Sequence, residues 1–321
     1  MLSGDQCVTA GYMSLNFVAS VVIIWANKLA YNSGFPFATT LTVVHFAATF
    51  IGLEIAARYG LFEKKSIQLI SVVPISVAFC GFVVFNNLSL QMNAIGTYQL
   101  LKVMTTPTIV TIQYFWYKTS LPAIQIISLL PVCVGVVLAT VSSVDTNFNG
   151  TIFGLCGIVS TSIYQIWVKT EQTRLACSSQ QLLYYQAPLS SVLLLAFVPL
   201  VEDVDGLRSL AWLTPVCVFW TVTSSLFAFL VNLSIFLVIE RTSPVSYNVL
   251  GHGKLCVIIV SGYLFFGDAY TVKNLVGVCM AVIGIVWYTH LKLQPQSETP
   301  KPQVKYEPIR EEETDALTAE E

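Results

Sequence analysis

A lysine, a histidine and two glycines lie inside an apolar stretch in the second half of the chain. The segment 242–254 reads TSPVSYNVLGHGK and continues into the apolar run 255–266. A lysine at bilayer depth costs about 2.5–3.5 kcal/mol and is usually retained where it faces a ligand, a partner or a water-filled cavity. Lys254 is therefore a functional candidate, the alternative being a helix-packing seam whose lysine reaches the membrane interface.

The spacing of polar residues predicts one polar face on this span. Tyr247, Gly251 and Lys254 follow one another at intervals of four and three, and Asn248 and His252 form a neighbouring stripe. Residues at these intervals share a face of an α-helix. The span therefore presents an aromatic ring, an amide, an imidazole and an ammonium group to one side.

The same segment carries signals for where the helix begins and what can approach it. Ser243 can cap the free N–H groups, and Pro244 suits the first helical position, which needs no donor. Gly251 and Gly253 remove side-chain bulk beside the lysine. We expect a second helix or a ligand to approach the backbone closely there.

Composition places the chain among polytopic membrane proteins. Its 321 residues are 55% hydrophobic and 11% charged, with a net charge of −2. The eight cysteines have no metal-binding spacing, so neither a metal nor any other cofactor is expected, and no nucleic-acid partner is expected either. The N-terminus lacks features of a signal or transit peptide. Membrane lipid is an expected partner, and the oligomeric state is left open.

Hydropathy predicts an all-α membrane protein with ten transmembrane helices. A short cytosolic segment, 1–12, precedes a first group of five spans within 13–142; a second group lies within 150–291, and a disordered cytosolic tail covers 294–321. The predicted spans are 13–31, 37–57, 68–88, 96–117, 121–142, 150–169, 179–201, 212–239, 244–266 and 271–291.

The charged residues predict the membrane topology and the sign of the substrate's charge. With both termini cytosolic, only the basic residues Arg208 and Lys273 fall in loops on the other side, as the positive-inside rule requires. Three lysines lie within spans, Lys28, Lys102 and Lys254, whereas every Asp and Glu lies in a loop, in the tail or near a span end. Positive charge within the spans, with no carboxylate there to neutralise it, favours an anionic ligand and disfavours proton- or sodium-coupled transport.

Spans four and five resemble spans nine and ten at a shift of 149 residues. Tyr98 corresponds to Tyr247, and Gly135 corresponds to Gly284, without a gap. Because each half holds an odd number of spans, the halves must lie in opposite orientation. The sequence therefore predicts two inverted five-helix repeats, the design of many secondary carriers.

Span four is the predicted counterpart of span nine. Tyr98 and Lys102 share a face at a spacing of four, and Pro107 removes one helical hydrogen bond. Two ammonium groups near the repeat interface can bind a phosphate or diphosphate, and tyrosines can stack on a base or bond to a sugar hydroxyl. Lys28 could complete this site, or could be a structural lysine near a helix end.

Other polar residues within spans carry weaker indications. His45 could bind substrate, although a packing role is favoured, and the residues Asn86, Asn87 and Asn232 are more typical of helix-to-helix hydrogen bonding. Four residues of span seven could line the cavity or simply mark the membrane interface. These residues are Gln181, Tyr184, Tyr185 and Gln186.

These motifs resemble a known family. The segments TSPVSYNVLGHGK and YQLLKVMTTP, together with the Asn27–Lys28 pair, are similar to the triose-phosphate translocator and nucleotide-sugar transporter branch of the drug/metabolite transporter superfamily. The likeness covers roughly 13–291 and is closest to the orphan subfamily-E members of solute carrier family 35 and to plant UDP-xylose and UDP-rhamnose/UDP-galactose carriers. It implies ten helices in two inverted repeats, alternating-access exchange, and phosphate binding by Lys102 and Lys254.

The chain departs from the plastid sugar-phosphate carriers at two points. Leu255 follows Lys254 where those carriers have a lysine–arginine pair, and threonines replace the acidic residue of their fourth helix. The expected function is therefore antiport of a nucleotide sugar, such as a UDP-sugar, for a nucleoside monophosphate across a Golgi or other endomembrane. A sugar-phosphate or phosphoenolpyruvate/phosphate exchanger and a non-transporting scaffold or receptor remain alternatives. An enzyme is not expected, because no nucleophile–base pair is evident.

Overall fold

Helices account for the regular structure of the chain throughout its described parts. The computed structural model describes residues 4–93, 95–140, 147–265 and 271–293, and the predicted tail 294–321 lies outside them. Within these ranges there are twelve α-helices and no strands. The helices are α1 (Gly4–Asn32), α2 (Ala38–Arg58), α3 (Leu69–Met92), α4 (Ile95–Val103), α5 (Thr105–Phe115), α6 (Ala123–Thr140), α7 (Phe148–Arg174), α8 (Ser179–Val201), α9 (Val204–Arg208), α10 (Pro215–Arg241), α11 (Pro244–Phe265) and α12 (Val272–Leu293).

Eight of these helices are long and apolar enough to cross a membrane, counted over the residues that the structure describes. They are α1, α2, α3, α6, α7, α8, α10 and α12. Helices satisfy every backbone hydrogen bond internally, which a lipid environment requires. The prediction of an all-α, multi-pass membrane protein is confirmed. The two other predicted spans coincide with the α4–α5 pair and with α11.

Local sequence sets the helix ends. Helix α11 begins at Pro244, and Ser243 Oγ accepts a hydrogen bond from Ser246 N at 3.2 Å, which confirms the predicted cap. Ser178 and Gln181 form a capping box before α8, because each side chain accepts a hydrogen bond from the other residue's backbone N–H. Helix α1 begins at Gly4, nine residues before the predicted start of the first span.

The predicted fourth span is divided at Met104. Helix α4 ends at Val103 and α5 begins at Thr105, while Met104 N bonds to Leu101 O at 3.0 Å in a tighter turn. Pro107 has no N–H group to donate to the carbonyl of Val103, four residues earlier. The interruption therefore falls where Pro107 removes a helical hydrogen bond, next to Lys102.

Four helix pairs dominate the packing: α1 with α10, α3 with α7, α2 with α8, and α6 with α12. The largest buried apolar cluster joins α2, α3, α7, α8 and α10. Representative members of this cluster are Phe46, Phe79, Tyr164, Leu183 and Phe236. The bundle outside this cluster leaves room for a cavity between α1, α3, α4, α5, α7 and α11.

Helices α6 and α12 touch backbone to backbone. A Cβ atom added to Gly135 would lie 2.7 Å from the carbonyl oxygen of Gly277, and one added to Gly284 would lie 2.7 Å from the backbone nitrogen of Val132. Only glycine permits so close an approach. Gly135 and Gly284, which correspond to each other at the shift of 149 residues, thus both lie where α6 and α12 cross.

Glu54, the acidic residue closest to a predicted span, is bound at the end of α2. Its carboxylate accepts hydrogen bonds from Arg58 at 2.9 Å, Lys64 at 2.6 Å and Tyr184 Oη at 2.8 Å. The hydrogen bond to Glu54 raises the pKa of the Lys64 ammonium above its ordinary value. Glu54 therefore belongs to a polar cluster between α2, the 59–68 connection and α8, away from the cavity.

Candidate functional site

A cavity of about 440 Å³ lies between six helices. This volume is typical of small-molecule sites. Among the residues that the structure describes, its lining contains two lysines and several neutral polar groups but no carboxylate. The lining residues are Ser20, Ile24, Phe82, Asn86, Lys102, Val103, Thr105, Thr161, Gln165, Tyr247, Asn248, Gly251, His252, Lys254 and Leu255.

The two lysines reach this cavity from different helices. Lys102 lies in the last turn of α4 and is solvent-exposed, whereas Lys254 lies within α11 and is partly buried. Lys102 Nζ lies 5.8 Å from the ring centroid of Tyr98, and Lys254 Nζ lies 5.3 Å from that of Tyr247. Each ammonium group is therefore placed over an aromatic ring of its own segment, at a distance that allows cation–π attraction.

Lys254 is held by neutral oxygen atoms of α1. Its Nζ donates hydrogen bonds to Asn16 Oδ1 at 2.8 Å and to Ser20 Oγ at 3.2 Å. Asn16 is fully buried, and its Nδ2 donates to Ser234 Oγ of α10 at 2.9 Å. These contacts orient the ammonium group without adding a negative charge to cancel it.

His252 and the glycines of α11 face different neighbours. The His252 ring lines the cavity and is 3.0 Å, through Nε2, from Thr106 Oγ1 of α5. Gly251 also lines the cavity, and a Cβ added there would meet no atom within 4 Å. A Cβ at Gly253 would instead lie 3.7 Å from Ile285 of α12. Gly251 thus widens the cavity, and Gly253 faces a helix.

Two pairs of neutral polar residues complete the wall. Asn248 Nδ2 donates to Gln165 Oε1 and to the carbonyl of Pro244, the latter at 3.0 Å. Asn86 Nδ2 donates to the carbonyl of Phe82 at 2.6 Å and to Thr161 Oγ1 at 3.2 Å. Because a carbonyl can only accept, both amide nitrogens are fixed and both Asn oxygens are turned away from these partners.

Four other residues considered for the site lie outside the cavity lining: Tyr98, Lys28, His45 and Pro107. Lys28 is exposed on α1, with its Nζ 5.9 Å from the ring of Trp25. His45 is buried against Ser224 of α10, with Nε2 and Oγ 3.0 Å apart. Pro107 is one turn beyond the Met104 break and also lies outside the lining, although its neighbour Thr105 belongs to it.

The polar residues of predicted span seven also lie elsewhere. Tyr184 Oη binds Glu54, and Tyr185 Oη donates to the carbonyl of Lys65 at 2.8 Å. Gln181 Nε2 donates to the carbonyl of Glu63 at 2.8 Å. Gln186 is fully buried within α8. Gln181 and Tyr185 thus fasten the 59–68 connection to α8, Tyr184 fastens α2 to it, and none of the four lines the cavity.

Four lining or contacting residues were not predicted as site residues: Asn16, Ser20, Thr161 and Gln165. Each is a small or neutral polar residue within an apolar span, a pattern that serves helix packing as often as ligand binding. Asn86 was interpreted as a helix-to-helix contact, which its bond to Thr161 supports, yet it also lines the cavity. Sequence spacing within one helix cannot report on such contacts between helices.

Comparison with known proteins assigns the family. The model of the Triose-phosphate Transporter family matches residues 7–289. UDP-xylose transporter 1 of Arabidopsis thaliana is 36% identical over 288 residues, covering 89% of this chain and 84% of the relative. UDP-rhamnose/UDP-galactose transporter 2 of Arabidopsis thaliana is 32% identical, covering 90% of this chain and 85% of the relative.

A solved crystal structure shares the fold. It matches with a TM-score of 0.67 at 14% identity, covering 88% of this chain and 98% of the other. The family and its named members are transporters, so the expectation that the protein is not an enzyme is confirmed. With a family match over most of its length, this chain is a member of the triose-phosphate transporter family.

Proposed function

We propose that the protein is a secondary active antiporter for a phosphorylated anionic solute. The observation that carries this proposal is that Lys102 and Lys254 meet at one cavity, whose described lining residues include no carboxylate. Two ammonium groups can neutralise a diphosphate and donate hydrogen bonds to it. A neutral or cationic solute offers no such negative charge. The substrate class is therefore anionic, and both lysines are its phosphate ligands.

A nucleotide sugar, and specifically a UDP-sugar, is the proposed cargo. The similar plant proteins are named for UDP-xylose, UDP-rhamnose and UDP-galactose. The cavity also offers Tyr247, Asn248, Gln165 and His252 beyond the lysines, which is more recognition surface than a phosphate alone requires. The returning solute is the nucleoside monophosphate, and the compartment is the Golgi or another endomembrane, with both termini cytosolic.

The proposed architecture is ten transmembrane helices in two inverted five-helix repeats, 13–142 and 150–291. Helix pairing supports this architecture. If α1, α2 and α3 of the first repeat correspond to α7, α8 and α10 of the second, the α1–α10 contact corresponds to the α7–α3 contact, and the α2–α10 contact corresponds to the α8–α3 contact. The glycine contacts follow the same rule, because Gly135 approaches Ala281 as Gly284 approaches Val132 at the shift of 149 residues. Such repeats rock about a central site in secondary carriers.

The mechanism follows from charge. Without an anion, occluding the cavity leaves unpaired ammonium groups in a medium of low dielectric constant, which is unfavourable. A bound phosphate compensates that charge and allows the repeats to reorient. Reorientation therefore requires cargo in both directions, which makes the protein an exchanger.

The test is uptake of radiolabelled UDP-xylose or UDP-galactose into liposomes that contain the purified protein. We expect preloading with UMP to raise the initial rate by about tenfold over empty liposomes. Equal uptake in both preparations would contradict exchange. Inhibition by inorganic phosphate or phosphoenolpyruvate, but not by UMP, would favour the alternative of a sugar-phosphate or phosphoenolpyruvate/phosphate exchanger.

Replacing Gln165 with leucine is expected to separate these two substrate classes. The bond from Asn248 occupies the Gln165 oxygen and leaves its Nε2 group for a base or a sugar hydroxyl. Losing one such bond costs about 1.4 kcal/mol, so the KM for a UDP-sugar should rise about tenfold. Inhibition by inorganic phosphate should stay unchanged, because the lysines remain. An equal loss for both solutes would argue against a role for Gln165 in nucleotide-sugar recognition.

A further inference from the structure

The neutral partners of Lys254 come from a single face of α1. Asn16 Oδ1 and Ser20 Oγ accept its hydrogen bonds at 2.8 Å and 3.2 Å, and residues four apart lie above one another on a helix. Lys254 belongs to α11, so this pair of contacts links α11 to α1 at the cavity wall. The ammonium group of Lys254 thus has a defined binding place within the protein.

The orientation of the Asn16 amide is fixed by α10. Ser234 Oγ donates its only proton to the carbonyl of Val231 at 3.0 Å, so it can only accept from Asn16. The atom that donates to Ser234 at 2.9 Å must therefore be Asn16 Nδ2. Consequently Asn16 Oδ1 faces Lys254, and the amide cannot rotate without losing two hydrogen bonds.

An amide oxygen differs from a carboxylate in one decisive respect. It accepts a hydrogen bond from the ammonium group but leaves the positive charge uncompensated. Aspartate has nearly the same shape as asparagine, and at position 16 it would form an ion pair with Lys254. Such a pair would compete with phosphate and would cancel charge in the cavity when no cargo is bound.

We propose that Asn16 is a positioning residue that makes reorientation depend on cargo. It holds Lys254 at the cavity by a neutral contact, so that the charge remains available to phosphate. Binding of phosphate draws the ammonium group from Asn16 and Ser20 and releases α11 from the α1–α10 pair. This inference rests on the proposed exchange of phosphorylated solutes and names the residue that enforces it.

The test is Asn16→Asp in the same liposome assay. The introduced carboxylate should pair with Lys254 and let the protein reorient without cargo, so stimulation by internal UMP should fall from about tenfold to less than about twofold. The KM for the UDP-sugar should rise about tenfold, because phosphate must displace the carboxylate. Ser20→Asp, which places a carboxylate at the second contact, should shift both quantities in the same direction.

The matched control is Asn232→Asp on α10. Its amide nitrogen donates to Thr49 Oγ1 at 3.0 Å, and it is not among the residues that line the cavity. The same chemical change should there leave UMP stimulation at the wild-type level. Thermal unfolding of all variants without substrate completes the comparison, and an ion pair predicts an unchanged or higher unfolding temperature for Asn16→Asp.

The outcomes separate this inference from the proposed function. Wild-type protein that fails to exchange any phosphorylated solute would overturn the proposed function. Normal exchange by the wild type, with Asn16→Asp still fully stimulated by UMP, would overturn only the role of Asn16. An unstable Asn16→Asp beside a stable Asn232→Asp would also count against it, because no ion pair with Lys254 would then have formed.

Discussion

Lys102→Gln and Lys254→Gln are each expected to reduce UDP-sugar uptake in liposomes by about 100-fold. Glutamine keeps a hydrogen-bond donor near the ammonium position but removes the charge that phosphate requires. Once the cavity closes around the bound phosphate, losing one charged partner of the ammonium–phosphate pair costs about 3 kcal/mol, which corresponds to about two orders of magnitude in affinity. Both lysines line the same cavity without a carboxylate beside them, so no other described lining residue can replace the lost charge.

Lys28→Gln provides the matched control. Lys28 is also a lysine within an apolar helix, but it is exposed on α1 and lies outside the cavity lining. The uptake rate of Lys28→Gln should stay within about twofold of the wild type, because Lys28 does not line the cavity in which phosphate would bind. Losses of equal size in all three variants would indicate a general effect on folding rather than phosphate binding.

Ligand-induced stabilisation separates a transporter from a scaffold. A UDP-sugar that binds the folded state should raise the unfolding temperature of the wild type and of Lys28→Gln. The same shift should disappear in Lys102→Gln and Lys254→Gln at unchanged expression. Retained stabilisation in both cavity variants would remove the lysines from the binding site, and with them the proposed function.

Most of the fold could be predicted from the sequence because lipid permits few solutions. The span 179–201 coincides with α8, and most other span ends differ from the helix ends by a few residues. The exceptions have local causes: α1 extends back to Gly4, and Met104 interrupts the fourth span. Hydropathy reports apolar length, so it detects neither an exposed helical extension nor a break within an apolar stretch.

The candidate site could be predicted from the sequence only around its charged residues. Lys102 and Lys254 stand out because a charge in a span needs a reason, and the spacing along α11 placed Tyr247 and Asn248 beside them. Asn16 and Gln165 gave no such signal. Their position depends on how α1 and α7 are rotated against α11, which is a property of packing and not of sequence spacing within one helix.

Substitution of Gly277 by alanine is expected to separate α6 from α12. The added Cβ would lie 2.6 Å from the carbonyl oxygen of Gly135 and 2.8 Å from the carbonyl carbon of Leu138, and it would also meet the backbone nitrogen of Ala139. These are backbone atoms, which the hydrogen bonds within each helix hold in place, so they cannot move aside as a flexible side chain can. Overpacking of this kind typically costs about 1–3 kcal/mol, and the backbone contact places this substitution at the upper end.

Gly11→Ala is the control for this prediction. A Cβ at Gly11 of α1 would meet no atom within 4 Å, and alanine is the better helix former by about 1 kcal/mol. Gly11→Ala should therefore keep or raise the unfolding temperature in detergent, whereas Gly277→Ala should lower it and reduce the recovery of monodisperse protein. Equal stability of the two variants would mean that α6 and α12 do not cross at glycine. The support that this crossing lends to inverted repeats would then be lost.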